Sequence, residues 1–234
     1  MAKHTHKLRR SAIFLAVLIG VVWGIVTSAD SYETTIPEPS ISTHKDVGGD
    51  VAAALDTLSV KGRAPKTDYS RSQFGDGWVS EDGCDTRNII LKRDLTHTTT
   101  NEKCQILTGI LEDPYTGKTI HFARGELSSQ LVQIDHVVAL SDAWQTGAQA
   151  MTHERRVALA NDPLELLAVD GTANQQKSDS DAATWLPSNK GFRCQYVARQ
   201  VAVKKKYDLW VTAAEKEAIL QILTNCPTQA LPTR

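Results

Sequence analysis

The stretch QIDHVVALSDAW, residues 133–144, constrains the fold more than any other part of the chain. An apolar strand over residues 131–134 runs directly into Asp135-His136. Further on, LELLAVDGTANQQKSDSD supplies a second apolar run, LELLAV, broken from the preceding helical pattern by Pro163. Asp170-Gly171 reads as a tight turn. A helix is expected to open at Thr172 and to end before Pro187. The plan is therefore strand, strand, helix, with chemistry-bearing residues where the first strand ends. Successive strand residues face opposite ways, so Asp135 and His136 share a site only if the backbone turns there.

The rest of the chain frames that unit. A basic segment (Lys3, Lys7, Arg9, Arg10) precedes 15 apolar residues, AIFLAVLIGVVWGIV, and then Thr27-Ser28-Ala29. The run is shorter than the ~20 residues of a membrane span and fits a signal peptide, with an uncleaved N-terminal anchor as the alternative. Both place the remainder outside the cytoplasm, and the anchor is the only membrane contact expected. Without residues 1–29 the chain carries 22 basic against 27 acidic side chains, a net of −5. Such a balance excludes a bulk nucleic-acid coat and leaves only local basic patches for that purpose. Residues 30–50, rich in Pro, Ser, Thr and Gly, read as a flexible linker to one domain at 51–234, expected to be a monomer.

Four cysteines suit an oxidising compartment, and none forms a CxxC pair. Cys84–Cys104 and Cys194–Cys226 close the shorter loops and are the expected pairing. Residues 51–58 read as a short helix, and 104–125 as a β-hairpin turning at Asp113-Pro114-Tyr115-Thr116-Gly117. Residues 146–162 read as a helix with Thr152 as N-cap. Thr212 and Glu215 form a capping-box pair for a last helix over 213–223. Lys61, Arg63, Lys66 and Arg71, interleaved with Tyr69, Phe74 and Trp78, are either a phosphate-contacting arm or a solvated loop anchored by its aromatics. Arg87 and Arg93 either pair with Asp94 or hold a phosphate.

The central stretch suits phosphodiester hydrolysis, which needs a base, a cation and groups that hold the phosphate. His136 suits the base because imidazole titrates near neutrality. Asp135 suits a hard divalent cation, Asn174 offers a second oxygen ligand, and Lys177 lies one turn on as a point charge for the phosphate. Each also has a plain structural reading. Asp135 can cap a turn, His136 can be a satisfied core residue, and Asn174 can be an ordinary helix N-terminal residue.

The segments KGRAPKTDYSR, GCDTRNIILKRDL, DPYTGKTI, QIDHVVALSDAW and NDPLELLAVDGTANQQKSDSDAATWLP decide between these readings by resemblance. They resemble secreted actinobacterial HNH endonuclease family proteins related to the GmrSD C-terminal nuclease domain, a branch of the ββα-metal (His-Me finger) nucleases. The resemblance implies an α+β fold. Its core is a two-stranded hairpin and helix, embedded in a mostly helical, disulfide-stapled domain. It implies His136 as general base, with Asp135 and Asn174 holding one Mg²⁺ or Mn²⁺ and no small-molecule cofactor. The substrate implied is nucleic acid, DNA first and RNA left open, with Lys177, Arg87, Arg93, Lys61, Arg63 and Lys66 as candidate contacts. One position departs from the pattern: Glu165 stands where the middle Asn would brace the loop of the base, and it can accept but not donate. That departure supports a rival reading, an inactive secreted binding domain of the same fold. Another metallohydrolase would need a further ligand, for which only His121 and His153 are loose candidates, and a competitor-killing toxin would need a delivery module not visible here.

Overall fold

A computed structural model describes residues 49–125 and 128–233, so the expected leader and nearly all of the linker lie outside the described residues. The apolar side chains of the first helical stretch form α1 (Asp50–Asp56), which buries Val51, Ala52, Ala54 and Leu55. Irregular chain with one 3-10 turn, Arg71–Phe74, leads to the short hairpin of β1 (Ser80–Glu81) and β2 (Cys84–Asp85). Asp85 then caps α2 (Thr86–Asp94), accepting the Asn88 N–H at 2.7 Å. The expected hairpin is present as β4–β5 in a three-stranded antiparallel sheet of β3 (Thr96–Thr100), β4 (Ile106–Glu112) and β5 (Thr119–Ala123). Its turn closes because Gly117 takes a φ of +73° and donates its N–H to the Asp113 carbonyl at 2.8 Å.

The strand leading into Asp135-His136 is β6 (Val132–His136). It is followed by α3 (Leu140–Gln145) and α4 (His153–Ala160) before β7 (Leu166–Asp170) returns to pair with it. The span 146–162 is thus not one helix: Gly147, at φ +133°, and a 3-10 turn at Ala148–Ala150 separate α3 from α4. Thr152 caps α4 as expected, accepting the Arg155 N–H at 3.3 Å. β6 and β7 are antiparallel, with Val132 opposite Asp170, Asp135 opposite Leu167 and His136 opposite Leu166.

α5 (Gly171–Lys177) starts on the residue after β7. Asp170-Gly171 is therefore a strand-to-helix junction and not a tight turn. Asp170 is the N-cap, accepting the Ala173 N–H at 2.7 Å, and a Cβ on Gly171 would fall 2.1 Å from the Gln130 carbonyl oxygen. The helix also ends far short of Pro187. Ser178 leaves helical geometry at φ +51°, Asp179 bonds the Ser141 hydroxyl, and Asp181 accepts the Ala183 N–H. These short polar side chains offer the local backbone alternatives to helical bonds.

α6 (Arg193–Lys206) and α7 (Ala213–Leu223) complete the chain, and the Thr212/Glu215 capping box is formed. Both expected disulfides are present: Cys84–Cys104 ties β2 to the β3–β4 loop, and Cys194–Cys226 ties α6 to the segment after α7. The β6–β7 pair lies between two apolar cores. Val132, Ile134, Leu166 and Ala168 join Ile90, Leu91, Ile106, Leu111 and Phe122. Leu167 and Val169 join the larger core of Leu55, Val137, Leu140, Tyr196, Val201 and Ile219. Covered on both faces, β7 reads as a near-continuous apolar run, whereas β6 puts only Val132 and Ile134 into a core and turns Gln133 and Asp135 to the other face. The fold is α+β, and β6, β7 and α5 form its ββα unit.

Candidate active site

Asp135 lies on the β6 face that points toward α5 and is 5% exposed. Its Oδ2 accepts a hydrogen bond from the Tyr115 hydroxyl, and its Oδ1 accepts one from Lys177 Nζ at 3.0 Å. Tyr115 reaches it from the β4–β5 turn, which is docked on this unit because Asp113 Oδ1 accepts the Asp170 N–H at 2.8 Å. Burial raises the Asp135 pKa, although Lys177 and Tyr115 pull it down. Burial likewise drives the Tyr115 hydroxyl well above its usual range, so Tyr115 is a fixed donor.

Lys177, expected at the phosphate, is instead 0% exposed. Besides Asp135 it donates to the His136 carbonyl at 2.7 Å. Its position on the last turn of α5 points it into the protein, where it is the counter-charge that lets a carboxylate sit buried. That corrects the expected role: Lys177 braces the Asp135-His136 backbone and does not face the cleft.

His136 turns to the other side of the strand. Its Nε2 lies 3.0 Å from the Ala160 carbonyl oxygen, which can only accept, so Nε2 carries the proton and Nδ1 keeps its lone pair. Trp78 stacks on the ring at 5.7 Å with planes 8° apart. Burial pushes the imidazole pKa down to about 3, with the charges of Arg71 and Lys177 adding to the effect and the Ala160 bond opposing it. The ring is therefore neutral at physiological pH. The backbone after it is braced by Glu165, whose carbonyl accepts the Val137 N–H at 2.9 Å and whose Oε2 accepts the Val138 N–H at 3.2 Å. Bracing this loop needs acceptors only, so a carboxyl group serves where an amide was expected. Burial raises its pKa well above the carboxylate range. Asn161 accepts the Val79 N–H at 2.9 Å and so fixes the segment beside Trp78.

Asp135, His136 and Asn174 border one cleft of about 470 Å³, together with Gln133, Arg71 and Arg87. Asn174 Nδ2 donates to Gln133 Oε1 at 2.9 Å, which leaves its amide oxygen as the free end. The donors at this cleft are carboxylate and amide oxygens, the ligands of a hard cation that keeps much of its water. Asp135 accepts from Tyr115, Lys177 and the His136 backbone, and a carboxylate has about four acceptor sites. The donor set thus fits Mg²⁺ or Mn²⁺. Among the described residues no group of three His, Cys, Asp or Glu converges as a closed zinc site would require.

Most of the other expected contacts are committed elsewhere. Arg63 pairs with Asp142 at 3.0 Å and Asp181 at 2.9 Å, Lys66 with Asp179, and Lys61 lies 5.1 Å over the Trp210 ring. Arg93 binds Asp94 and donates to the Pro163 and Leu166 carbonyls, away from the cleft. The loop reading of the basic arm holds for these residues. Arg87 does border the cleft, anchored on the Val132 carbonyl at 3.1 Å. Arg71 borders the cleft and Trp78 stacks on His136, two members of the arm weighed as phosphate-contacting, whereas Tyr115 and Gln133 were not expected at the site. Of these two only Gln133 carried a signal, since it sits two residues before Asp135 on one strand face.

The model of the family described as GmrSD restriction endonucleases, C-terminal domain, matches residues 85–222, which include β6, β7 and α5. A protein of Arthroderma benhamiae described as an uncharacterized secreted protein is 35% identical over 216 residues, covering 91% of this chain and 98% of that one. No solved structure matches. No helix among the described residues is long and apolar enough to cross a membrane. A family match over more than half the chain, containing the whole ββα unit, places the protein in the GmrSD C-terminal domain family.

Proposed function

We propose that the protein is an exported, metal-dependent endonuclease of the HNH type that hydrolyses phosphodiester bonds of DNA. The observation that carries this reading is the shared cleft, in which a neutral His136 with a free Nδ1 meets Asp135 and Asn174 at the end of one strand. His136 Nδ1 takes the proton of the attacking water, and the Ala160 carbonyl holds the imidazole in the tautomer that can do so. In the free protein so low a pKa makes a weak base. A phosphodiester bound alongside brings negative charge, which opposes the effect of Arg71 and Lys177 and raises it. Asp135 and Asn174 would hold one Mg²⁺ or Mn²⁺, which when bound supplies positive charge beside the scissile phosphate and the leaving oxygen. Tyr115 and Lys177 fix the Asp135 carboxylate, and Arg87 offers the phosphate a fork of N–H donors. Glu165 supported a non-catalytic reading only while its part in the loop was open, and as a brace it fits an active site. Export is supported by the signal-like N-terminus and by the secreted relative. The test is cleavage of linear and supercoiled DNA with Mg²⁺, with Mn²⁺ and with EDTA, alongside Asn174→Ala. Cation-dependent cleavage weakened by Asn174→Ala is expected, and EDTA-resistant cleavage would contradict the metal-dependent reading.

A further inference from the structure

A second hollow, of about 390 Å³, opens on the far side of His136 from Asp135. It is bordered by Arg71, Phe74, Gly75, Gly77, Trp78 and His136. Its volume is that of a small-ligand site. Two residues connect it to the cleft: His136 and Arg71 border both. Arg71 is exposed and, among the described residues, has no ion-pair or hydrogen-bond partner. The other arginine at the cleft, Arg87, is anchored on a backbone carbonyl. A cation left free at the junction of two hollows has no structural task there.

The walls of the hollow are held in place. Arg156 of α4 donates to the Gln73 carbonyl at 2.8 Å and to the Gln73 side chain at 3.0 Å, which ties the 3-10 turn to the helix. Asn161 holds Val79, next to Trp78. Gly75, at φ +99°, packs its backbone on α4, where a Cβ would lie 3.3 Å from Val157. At Gly77, φ +148°, a Cβ would meet nothing within 4 Å, so the rim there is open. Trp78 is half-buried, lies parallel to His136 and contributes aromatic surface to the hollow.

We infer that this hollow is a nucleotide subsite beside the scissile phosphate, in which Arg71 binds the neighbouring phosphate and Trp78 takes an unstacked base. A base in a duplex is paired and stacked, so only a single-stranded or locally opened segment can deliver one. The protein is accordingly expected to prefer single strands over intact duplex. The inference rests on the nuclease reading for the identity of its neighbour.

The test is fluorescence anisotropy of a labelled oligothymidylate, and of a hairpin duplex of the same length, with the oxidised protein in EDTA so that no strand is cut. Tighter binding to the single strand is expected. Arg71→Ala should weaken it several-fold and lower the slope of log affinity against log salt by about 0.7. Trp78→Leu should weaken it about tenfold or more, with most of the loss restored in Trp78→Phe. Binding unchanged by Arg71→Ala, or an equal loss on duplex and single strand, overturns the subsite. Should Trp78→Leu fail to fold, the exposed Arg71 decides alone. Arg71-dependent binding without cleavage under any cation would sink the nuclease reading and leave the subsite. Cation-dependent cleavage with Arg71-independent binding would do the reverse.

Discussion

Replacing Lys177 by Met separates the two roles a lysine at this position can have. In the structure its ammonium is fully buried, 3.0 Å from Asp135 Oδ1 and 2.7 Å from the His136 carbonyl. Met conserves much of the volume but leaves a carboxylate in the interior without its counter-charge, held by the Tyr115 hydroxyl and the His136 backbone. Removing one member of a buried ion pair costs about 3–5 kcal/mol. In a domain of this size each kcal/mol moves the melting midpoint by about 2–4 °C, so a fall of about 6–20 °C is expected. Urea unfolding at pH 7 gives the free energy directly. The companion is Asp135→Asn with Lys177→Met, which removes both charges and should recover most of the loss, giving a coupling energy of more than about 1 kcal/mol. If Lys177→Met costs less than about 1 kcal/mol and instead weakens nucleic-acid binding, Lys177 is a phosphate contact and the brace is refuted.

Three further outcomes follow from the same geometry. Glu165 has a folded pKa raised by burial above its unfolded value near 4.3. Its contribution is therefore full below that pH and is lost as pH rises, by about 1.4 kcal/mol per unit. Glu165→Gln keeps an acceptor for the Val138 N–H and does not titrate, so its stability advantage should grow between pH 4.5 and 7, and parallel pH profiles in urea would contradict this. Tyr115→Phe removes a hydrogen bond to a charged group, worth about 1.5–3 kcal/mol, and should also weaken Mn²⁺ binding measured by calorimetry, whereas unchanged stability and affinity would show that Tyr115 does not position Asp135. Opening Cys194–Cys226, a closure of 32 residues, by double Ser replacement should cost about 3–4 kcal/mol in urea unfolding.

What could be read from the chain depended on whether a residue's partners were near it in sequence. The capping box at Thr212 and Glu215 is local, and it placed α7 to the residue. β7 was legible because a strand buried on both faces is an unbroken apolar run, and both disulfides followed from short loop closure. The ends of α5 were misread because Asp170 serves the helix that follows it, and because the polar residues after Lys177 bind groups elsewhere. The basic arm was harder still. Arg63 finds Asp181 at a separation of 118 residues and Lys66 finds Asp179 at 113, so only the fold shows that these cations are taken. Tyr115 looked like part of a turn, and nothing within that turn indicates that its hydroxyl meets a carboxylate 20 residues away. Glu165 was a departure by residue type, yet its backbone and side-chain acceptors supply the bracing the loop needs.

The central claim is that His136 is the base of a phosphodiester hydrolase, and nicking of supercoiled plasmid by the oxidised protein with Mg²⁺, beside His136→Ala, tests it most directly. The wild-type protein should nick and linearise the plasmid, and the variant, with its fold verified by circular dichroism, should lose that activity by at least a hundredfold. Cleavage that survives in His136→Ala at the wild-type rate would contradict the account.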